Sequence, residues 1–165
     1  MCIRDRNIST EVWSDLAKQL EGDLFLDLKT RTLYATDASV YREMPLAVVL
    51  AKTKRDIQLL IQFAVKHNVA LIPRTAGTSL GGQVVGNGIV VDVSKYFNKI
   101  IELNVAEKYV IVEPGVIRDD LNRFLAQHKL WFGPETSTAN RAMIGGMVGN
   151  NSCGSYSIVY GTTRE

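Results

Sequence analysis

The sequence predicts an α+β fold in which a small βαβ lobe precedes a strand-rich lobe. Two apolar runs on either side of an amphipathic helix predict the first lobe, which extends through about Ile72. Three short strand patterns separated by turns, at residues 88–92, 100–103 and 109–113, predict the second lobe. Two glycine-rich stretches that are far apart in sequence predict a ligand held from both sides.

Length and composition indicate one globular domain. The chain has 165 residues, of which 46% are apolar and 22% are charged. Its net charge of +2 gives no indication of a nucleic acid or an anionic membrane as partner. No apolar run is long enough for a transmembrane helix, and the start lacks the pattern of a signal peptide. The expected compartment is the cytoplasm.

Cysteine and histidine are too sparse to predict a metal site or a disulfide framework. Cys2 and Cys153 are the two cysteines, and they lack the spacing of metal ligands. His67 and His128 each fall at the polar end of a predicted helix, where a surface or capping role is expected. No metal is therefore predicted.

The first 44 residues are predicted to form three parts. Residues 1–6 share no periodicity with the rest and resemble translated adapter sequence, so we expect a non-native leader. Residues 7–44 form an amino-terminal helix and an entry segment, with Ser9 or Thr10 as the helix cap and Gly22 at its end. The apolar face of this helix comprises Val12, Trp13, Leu16 and Leu20. Residues 24–41 give only a weak strand pattern.

The βαβ unit is predicted from residue 45 onward. The apolar run at 46–51 is typical of a strand buried on both faces. Thr53 caps the following helix, in which apolar residues recur at helical spacing: Ile57, Leu60, Ile61, Ala64 and Val65. A second buried strand is predicted at 69–72, ending at Pro73. The first glycine-rich loop thus leaves the carboxyl end of a strand, where open α/β sheets bind ligands.

The second lobe is predicted as an antiparallel meander. Short links join the strand patterns at 88–92, 100–103 and 109–113, which favours antiparallel pairing. Pro114-Gly115 ends the last strand. A helix over about residues 117–128 is expected to bury Leu121, Phe124 and Leu125.

The first glycine-rich loop, at residues 73–83, has the chemistry of a diphosphate cradle. Its backbone amides can converge on phosphate oxygens, and it adds the hydroxyls of Thr75, Thr78 and Ser79 and the charge of Arg74. A Walker loop requires a lysine directly after its glycines, and this loop has none. The loop also lacks the Gly-x-Gly-x-x-Gly spacing of a dinucleotide-binding helix. A tight turn between the lobes is the alternative.

The second glycine-rich stretch combines residues 134–137 with residues 144–154. Four glycines stand among Asn150, Asn151 and Ser152, and they would let a flat ring system lie against the backbone. A packed helix start built from small residues is the alternative. The two stretches together favour one extended, phosphate-bearing ligand.

Several motifs, taken in order, carry a specific resemblance. They are Arg74-Thr-Ala-Gly-Thr-Ser-Leu-Gly-Gly-Gln83, Gly88-Ile-Val-Val-Asp92, Val112-Glu-Pro-Gly115, Pro134-Glu-Thr-Ser137, Ile144-Gly-Gly146, Asn150-Asn-Ser-Cys-Gly154 and Tyr160-Gly161. Together they resemble the FAD-binding domain of the p-cresol methylhydroxylase (PCMH) and vanillyl-alcohol oxidase superfamily. The similarity is greatest to the branch of FAD-linked D-lactate, glycolate and D-2-hydroxyglutarate dehydrogenases, whose entry segment fits Asp37-Ala-Ser39 with Tyr41 and Pro45. The resemblance covers about residues 10–165 and implies a PCMH-type FAD-binding domain at 45–165, with FAD between the lobes.

The resemblance also implies which residues contact FAD. In the first loop, the FAD pyrophosphate would be wrapped by Arg74, Thr75, Ala76, Gly77, Thr78 and Ser79, and the loop would be closed by Gly81, Gly82 and Gln83. The flavin and its ribityl chain would be flanked by Pro134, Thr136 and Ser137. The second side of the site would be lined by Gly145, Gly146, Asn150 and Gly154, and its edge by Tyr160 and Gly161.

Noncovalent FAD is predicted because the first loop has neither the histidine nor the cysteine that often carries a covalent flavin. Cys153 is expected to be a small packing residue rather than a redox centre.

The reaction implied by the resemblance is the oxidation of a D-2-hydroxy acid to a 2-oxo acid, with an electron acceptor as partner. The catalytic base and the carboxylate clamp are expected beyond residue 165. The chain is therefore expected to be an amino-terminal fragment, incomplete at its carboxyl end and inactive alone. Its variant motifs resemble large members with a carboxyl-terminal iron–sulfur segment, whose acceptor could hold the parent protein at the periphery of the inner membrane.

Two alternatives stay open. One is another flavoenzyme of the same superfamily, such as a nucleotide-sugar reductase or an aromatic-alcohol oxidase. The other is a non-catalytic module that binds a nucleotide or another anion.

Overall fold

A computed structural model describes residues 8–164, so the expected leader at residues 1–6 lies outside the described residues. The helices are α1 (Thr10–Gln19), α2 (Leu28–Leu33), α3 (Lys54–His67), α4 (Arg118–Ala126), α5 (Ile144–Asn150) and α6 (Ser157–Tyr160). The strands are β1 (Asp23–Phe25), β2 (Ala47–Leu50), β3 (Leu71–Arg74), β4 (Ile89–Asp92), β5 (Ile100–Asn104) and β6 (Tyr109–Val112). The predicted α+β class is confirmed.

Four of the strands form one sheet in the order β1-β2-β4-β3. Strands β2, β4 and β3 are parallel, and β1 pairs antiparallel with β2. All four residues of the central strand β4 are buried, as its apolar sequence favours for a strand covered on both faces. The prediction of a buried strand ending at Pro73 is wrong, because β3 lies at an edge, is only partly buried and continues to Arg74. The edge accommodates Pro73, since proline has no N–H to donate to a neighbouring strand.

The predicted antiparallel meander is wrong for its first strand. Residues 75–88 carry the chain back to the start of the sheet, so β4 inserts in parallel between β2 and β3. Of the three strands predicted for the meander, only β5 and β6 pair with each other, as an antiparallel two-stranded hairpin. The first lobe is therefore larger than predicted. We call residues 8–97 the sheet lobe and residues 100–164 the hairpin lobe.

Helices α1 and α3 supply the apolar core of the sheet lobe. The predicted face of α1 is confirmed, since Trp13, Leu16 and Leu20 are buried and Val12 packs against them. In α3 the Thr53 cap is confirmed as a capping box with Asp56. Ile61 and Val65 are exposed, contrary to prediction, because the stripe of α3 that packs inward passes through Leu60, Phe63 and Ala64.

Asp56 links the amino-terminal helix to the rest of the sheet lobe. It is fully buried, and its carboxylate accepts hydrogen bonds from the backbone N–H groups of Glu21, Gly22, Lys52 and Thr53 at 2.8–3.1 Å. Burial raises the pKa of Asp56, but these four donors outweigh it and hold the pKa below its usual value. A side chain at Gly22 would collide with the Leu50 carbonyl oxygen.

The hairpin lobe has a smaller core. Val116, Leu121 and Leu125 are its buried cluster, and the partly buried Phe124 packs against them, as predicted for helix α4. Within residues 8–164, none of the helices combines the length and the apolarity that a membrane crossing requires.

Candidate functional site

The two glycine-rich regions, distant in sequence, meet in the structure. The side-chain amide of Gln83 in the first loop donates to Asn150 Oδ1 in α5 at 3.0 Å. Thr75 lies against Gly146, because a Cβ at that glycine would come 2.6 Å from Thr75 Oγ1. Gly146 therefore permits the close approach of α5 to the first loop.

The first loop presents backbone donors that the described chain does not use. Arg74 is the last residue of β3, so the loop leaves the carboxyl end of a parallel strand, as predicted. Among residues 8–164, no acceptor is bonded to the backbone N–H groups of residues 76–79, and these residues are only partly buried. Peptide N–H groups normally find a partner, so a run of unused donors suits a bound anion.

Two glycines fix the shape of this loop. Gly77 and Gly82 have φ angles of 64° and 73°, in the left-handed region that residues with a side chain rarely adopt. A Cβ at Gly77 would lie 2.7 Å from Arg74 Nη2, and one at Gly82 would lie 2.7 Å from the ring of Tyr41. Both positions therefore favour glycine for its conformation, and a side chain at either would also have to displace Arg74 or Tyr41.

The Arg74 side chain points back to the entry segment. Its Nη1 donates to the carbonyl oxygens of Thr36 at 2.8 Å and Tyr34 at 3.3 Å. Its guanidinium carbon lies 5.0 Å from the centre of the Tyr34 ring, within the range of a cation–π contact. Sequence reasoning missed Tyr34, which falls in a stretch of weak pattern.

Asp92 holds Tyr34 from the opposite end. The Tyr34 hydroxyl donates to Asp92 Oδ2 at 2.6 Å, and Asp92 Oδ1 accepts from the backbone N–H of Ser94 at 2.7 Å. Burial, followed by the hydrogen bond to Asp92, raises the pKa of Tyr34. Arg74 and Asp92 are register partners at the ends of β3 and β4, a signal that the correct strand order would have provided.

Residues 144–154 of the second glycine-rich stretch form helix α5 and a turn. Their local structure therefore agrees with the alternative interpretation, a helix start built from small residues, and the binding role stays a prediction. Gly145 packs on Pro114, where a Cβ would come 2.5 Å from the proline Cβ, and its N–H donates to the Pro114 carbonyl at 2.8 Å. Gly149 faces open space. The glycines of α5 thus have different surroundings.

Residues 134–137 form a second patch with the turn after α5. Gly154 lies against residue 135, since a Cβ there would come 2.7 Å from the Glu135 carbonyl oxygen. Thr136 Oγ1 accepts from the backbone N–H of Thr138 at 3.2 Å, while Ser137 is exposed. Cys153 is exposed as well, so the predicted packing role is wrong for the described chain.

Tyr160 and Gly161 complete this second patch. The Tyr160 side chain covers Gly133, at which a Cβ would lie 3.0 Å from Tyr160 Cβ. Gly161 has a φ of 71° and ends α6. In the described chain, hydrogen bonds join the first loop to α5 but not to residues 134–137 or 160–161.

Two buried side chains of α4, which sequence reasoning missed, hold the second patch in place. Arg118 Nε donates to the Pro134 carbonyl at 3.1 Å, and the guanidinium lies over the Trp131 ring. The Asn122 side chain forms two hydrogen bonds with the backbone of Phe132. Its Oδ1 accepts from the Phe132 N–H at 2.8 Å, and its Nδ2 donates to the Phe132 carbonyl at 3.1 Å. Polar residues of an amphipathic helix are normally expected to face solvent, so the sequence did not identify Arg118 and Asn122 as buried.

The donors of the site suit FAD. Residues 74–83 and 144–154 contain no aspartate or glutamate, so the two facing segments present hydroxyls, amides and unused backbone N–H groups to a diphosphate. These donors meet the requirements of a bound diphosphate.

Comparison with known proteins identifies the family. Residues 45–165 match the family model described as "FAD binding domain". The chain is 41% identical over 151 residues to D-2-hydroxyglutarate dehydrogenase of Haemophilus influenzae, a match that covers 90% of this chain and 15% of that protein. It is 33% identical to the mitochondrial D-lactate dehydrogenase [cytochrome] of Kluyveromyces lactis, over 85% of this chain and 25% of that protein. The chain thus spans about a seventh of the first of these relatives and a quarter of the second.

Solved structures share the fold. An alkyldihydroxyacetonephosphate synthase matches 98% of this chain with a TM-score of 0.82 and 20% sequence identity, over 33% of that chain. p-Cresol methylhydroxylase with substrate bound matches 89% of this chain with a TM-score of 0.73 and 17% identity, over 31% of that chain. These matches confirm the predicted PCMH-type fold, and the family match confirms FAD as the cofactor. The chain belongs to this family of FAD-binding domains.

Proposed function

We propose that the chain is the FAD-binding part of a flavin-dependent oxidoreductase that oxidises a D-2-hydroxy acid to the 2-oxo acid. D-2-hydroxyglutarate, D-lactate and glycolate are the candidate substrates, because the similar relatives are named for them. The observation that carries FAD binding is the contact of the first loop with α5, beside the unused backbone donors of residues 76–79. On this proposal residues 7–44 form an amino-terminal helix and the entry segment, and residues 45–165 belong to the FAD domain.

The proposed roles divide the cofactor between two patches. The first loop, residues 74–83, holds the pyrophosphate through backbone N–H groups and hydroxyls. Pro134, Thr136 and Ser137 flank the flavin and its ribityl chain, while α5 and Gly154 line the opposite side, with Tyr160 and Gly161 at the edge. The first loop offers no histidine or cysteine for attachment, which supports noncovalent FAD.

The remaining chemistry is proposed for the parent protein. When bound, FAD supplies the ring that accepts two electrons and the α-hydrogen of the hydroxy acid. A base for the substrate hydroxyl and a cationic clamp for its carboxylate are required on chemical grounds. An acceptor in the cytoplasm or at the inner membrane would then take the electrons. In a parent protein with a carboxyl-terminal iron–sulfur segment, the clusters of that segment would relay them. The relative at 41% identity is long enough to hold such parts, since this chain matches 15% of it.

The test uses the complete reading frame that encodes this chain. The purified protein is expected to show the absorption of bound flavin, and anaerobic D-2-hydroxyglutarate, D-lactate or glycolate should bleach it. The L-enantiomers of the first two acids are matched controls and should bleach it more slowly. A protein that neither contains nor takes up FAD would exclude the cofactor assignment. Bound flavin that none of the acids reduces would exclude only the substrate class.

A further inference from the structure

The first loop is held from outside by a short piece of the entry segment. We call residues 34–41 the entry turn. Its residues contact the loop at three separate points, through Arg74, Gly77 and Gly82. Each point involves a residue expected to surround the FAD pyrophosphate, so the entry turn bears directly on the shape of the cradle.

The first contact uses the charge of Arg74. Its guanidinium binds two carbonyl oxygens of the entry turn and faces the Tyr34 ring. It also lies against Gly77, where a Cβ would approach within 2.7 Å of Nη2. Asp92, the register partner of Arg74, lies nearby as a buried carboxylate that binds the Tyr34 hydroxyl. The Arg74 side chain is therefore engaged by protein groups.

The other two contacts lie further along the loop. The backbone N–H of Ala38 donates to the Gly77 carbonyl at 3.1 Å, and this bond turns the Gly77 carbonyl toward the entry turn. Tyr41 covers Gly82, at which a Cβ would come 2.7 Å from its ring. The entry turn itself is fixed by Asp37, whose Oδ1 accepts from the backbone N–H of Ser39 at 2.8 Å.

We propose that Arg74, Tyr34 and Asp92 form a positioning network that presets the first loop for FAD. Arg74 acts through the entry turn rather than as the cation that binds the pyrophosphate. The Tyr34 hydroxyl anchors the entry turn to β4, and the entry turn then holds Gly77 and Gly82 in place. The part of this inference that concerns FAD rests on the proposed function.

The first test needs no cofactor. Tyr34→Phe removes only the hydroxyl bonded to Asp92, and amide hydrogen exchange of the FAD-free full-length protein reports the result. The N–H of Ala38 is expected to exchange about tenfold faster, because local opening no longer breaks a charge-assisted hydrogen bond. Tyr109→Phe is the matched control, since the Tyr109 hydroxyl donates to Glu102 at the same 2.6 Å but in the distant hairpin. Unchanged exchange at Ala38 in Tyr34→Phe would overturn the network.

The second test measures FAD affinity over a range of salt concentrations. Tyr34→Phe and Arg74→Gln are each expected to weaken FAD binding about tenfold, and the double variant little more than either, because both break one network. Tyr41→Leu, which alters the exposed end of the entry turn, should also weaken FAD binding. A phosphate-binding Arg74 predicts instead that Arg74→Gln alone weakens binding and flattens its salt dependence, while Tyr34→Phe has no effect. Wild-type protein that binds no FAD would contradict the proposed function, while the exchange result would still decide the network.

Discussion

The sheet lobe and the hairpin lobe are stabilised in different ways. A single cluster of twelve buried apolar residues joins α1, α3 and the sheet, whereas the hairpin lobe buries a cluster of three. Each lobe also buries two polar side chains, Asp56 and Asp92 in the sheet lobe and Arg118 and Asn122 in the hairpin lobe, where they bind backbone carbonyls of residues 132 and 134. The comparison indicates that the first glycine-rich loop belongs to the lobe with the larger apolar core, while the second belongs to a lobe in which polar links carry a larger share of the stability.

The largest expected effect comes from matched truncations in the two cores. Leu60 and Leu121 are both almost fully buried, one in each cluster. Leu60→Ala is expected to lower the free energy of unfolding by about 4 kcal/mol, and Leu121→Ala by about 2 kcal/mol, because the smaller cluster can collapse around the cavity. Urea denaturation of both variants measures this difference. Equal losses would show that the two cores are equally well packed.

The next effect tests the link between α1 and the rest of the sheet lobe. Asp56→Asn replaces an acceptor of four N–H groups by a side chain that also carries donors, and should cost about 3 kcal/mol at neutral pH. Since the folded pKa of Asp56 is lowered, its stabilisation is complete above the unfolded value of about 3.9 and is lost as the pH falls through the folded pKa. The stability gap between wild type and variant should therefore narrow below about pH 4. A gap that is constant down to about pH 2 would contradict the assignment of the carboxylate.

The smallest effects compare two arginines of α4. Arg118 is buried and binds the Pro134 carbonyl, whereas Arg123 forms an exposed pair with Asp120. Arg118→Met is expected to cost about 2 kcal/mol, and Arg123→Met about 0.5 kcal/mol or less. Thermal unfolding of both proteins measures the difference. Similar costs would mean that the polar links of the hairpin lobe contribute no more than a surface ion pair.

Much of the sheet lobe could be predicted from local sequence. The Thr53 cap, the apolar face of α1, the buried run of β2 and the presence of a strand at β4 follow from periodicity and capping chemistry within a few residues. The position of β4 could not be predicted in the same way, because the short links around it favour an antiparallel partner. Parallel pairing with β2 and β3 depends on the fourteen-residue return through the first loop, at residues 75–88, which has no periodic pattern.

In the candidate site, too, local features could be predicted from the sequence, whereas contacts between distant residues could not. Glycine clustering identified both loops, because conformation and close approach limit which residues can stand there. The contacts that join them, Gln83 with Asn150 and Thr75 with Gly146, span about 70 positions and leave no local signal. Tyr34 was missed for the same reason, since its partner Asp92 lies 58 positions away.

The most direct test of the central claim, that the first loop and α5 form one FAD site, compares two glycines of α5. Gly146 lies against Thr75, whereas Gly149 has nothing within 4 Å, so Gly149→Val controls for placing valine in the same helix. In the full-length protein, FAD titration should give an affinity at least about tenfold weaker for Gly146→Val than for Gly149→Val, because the added side chain separates the two loops. Equal FAD affinity in the two variants would contradict the claim.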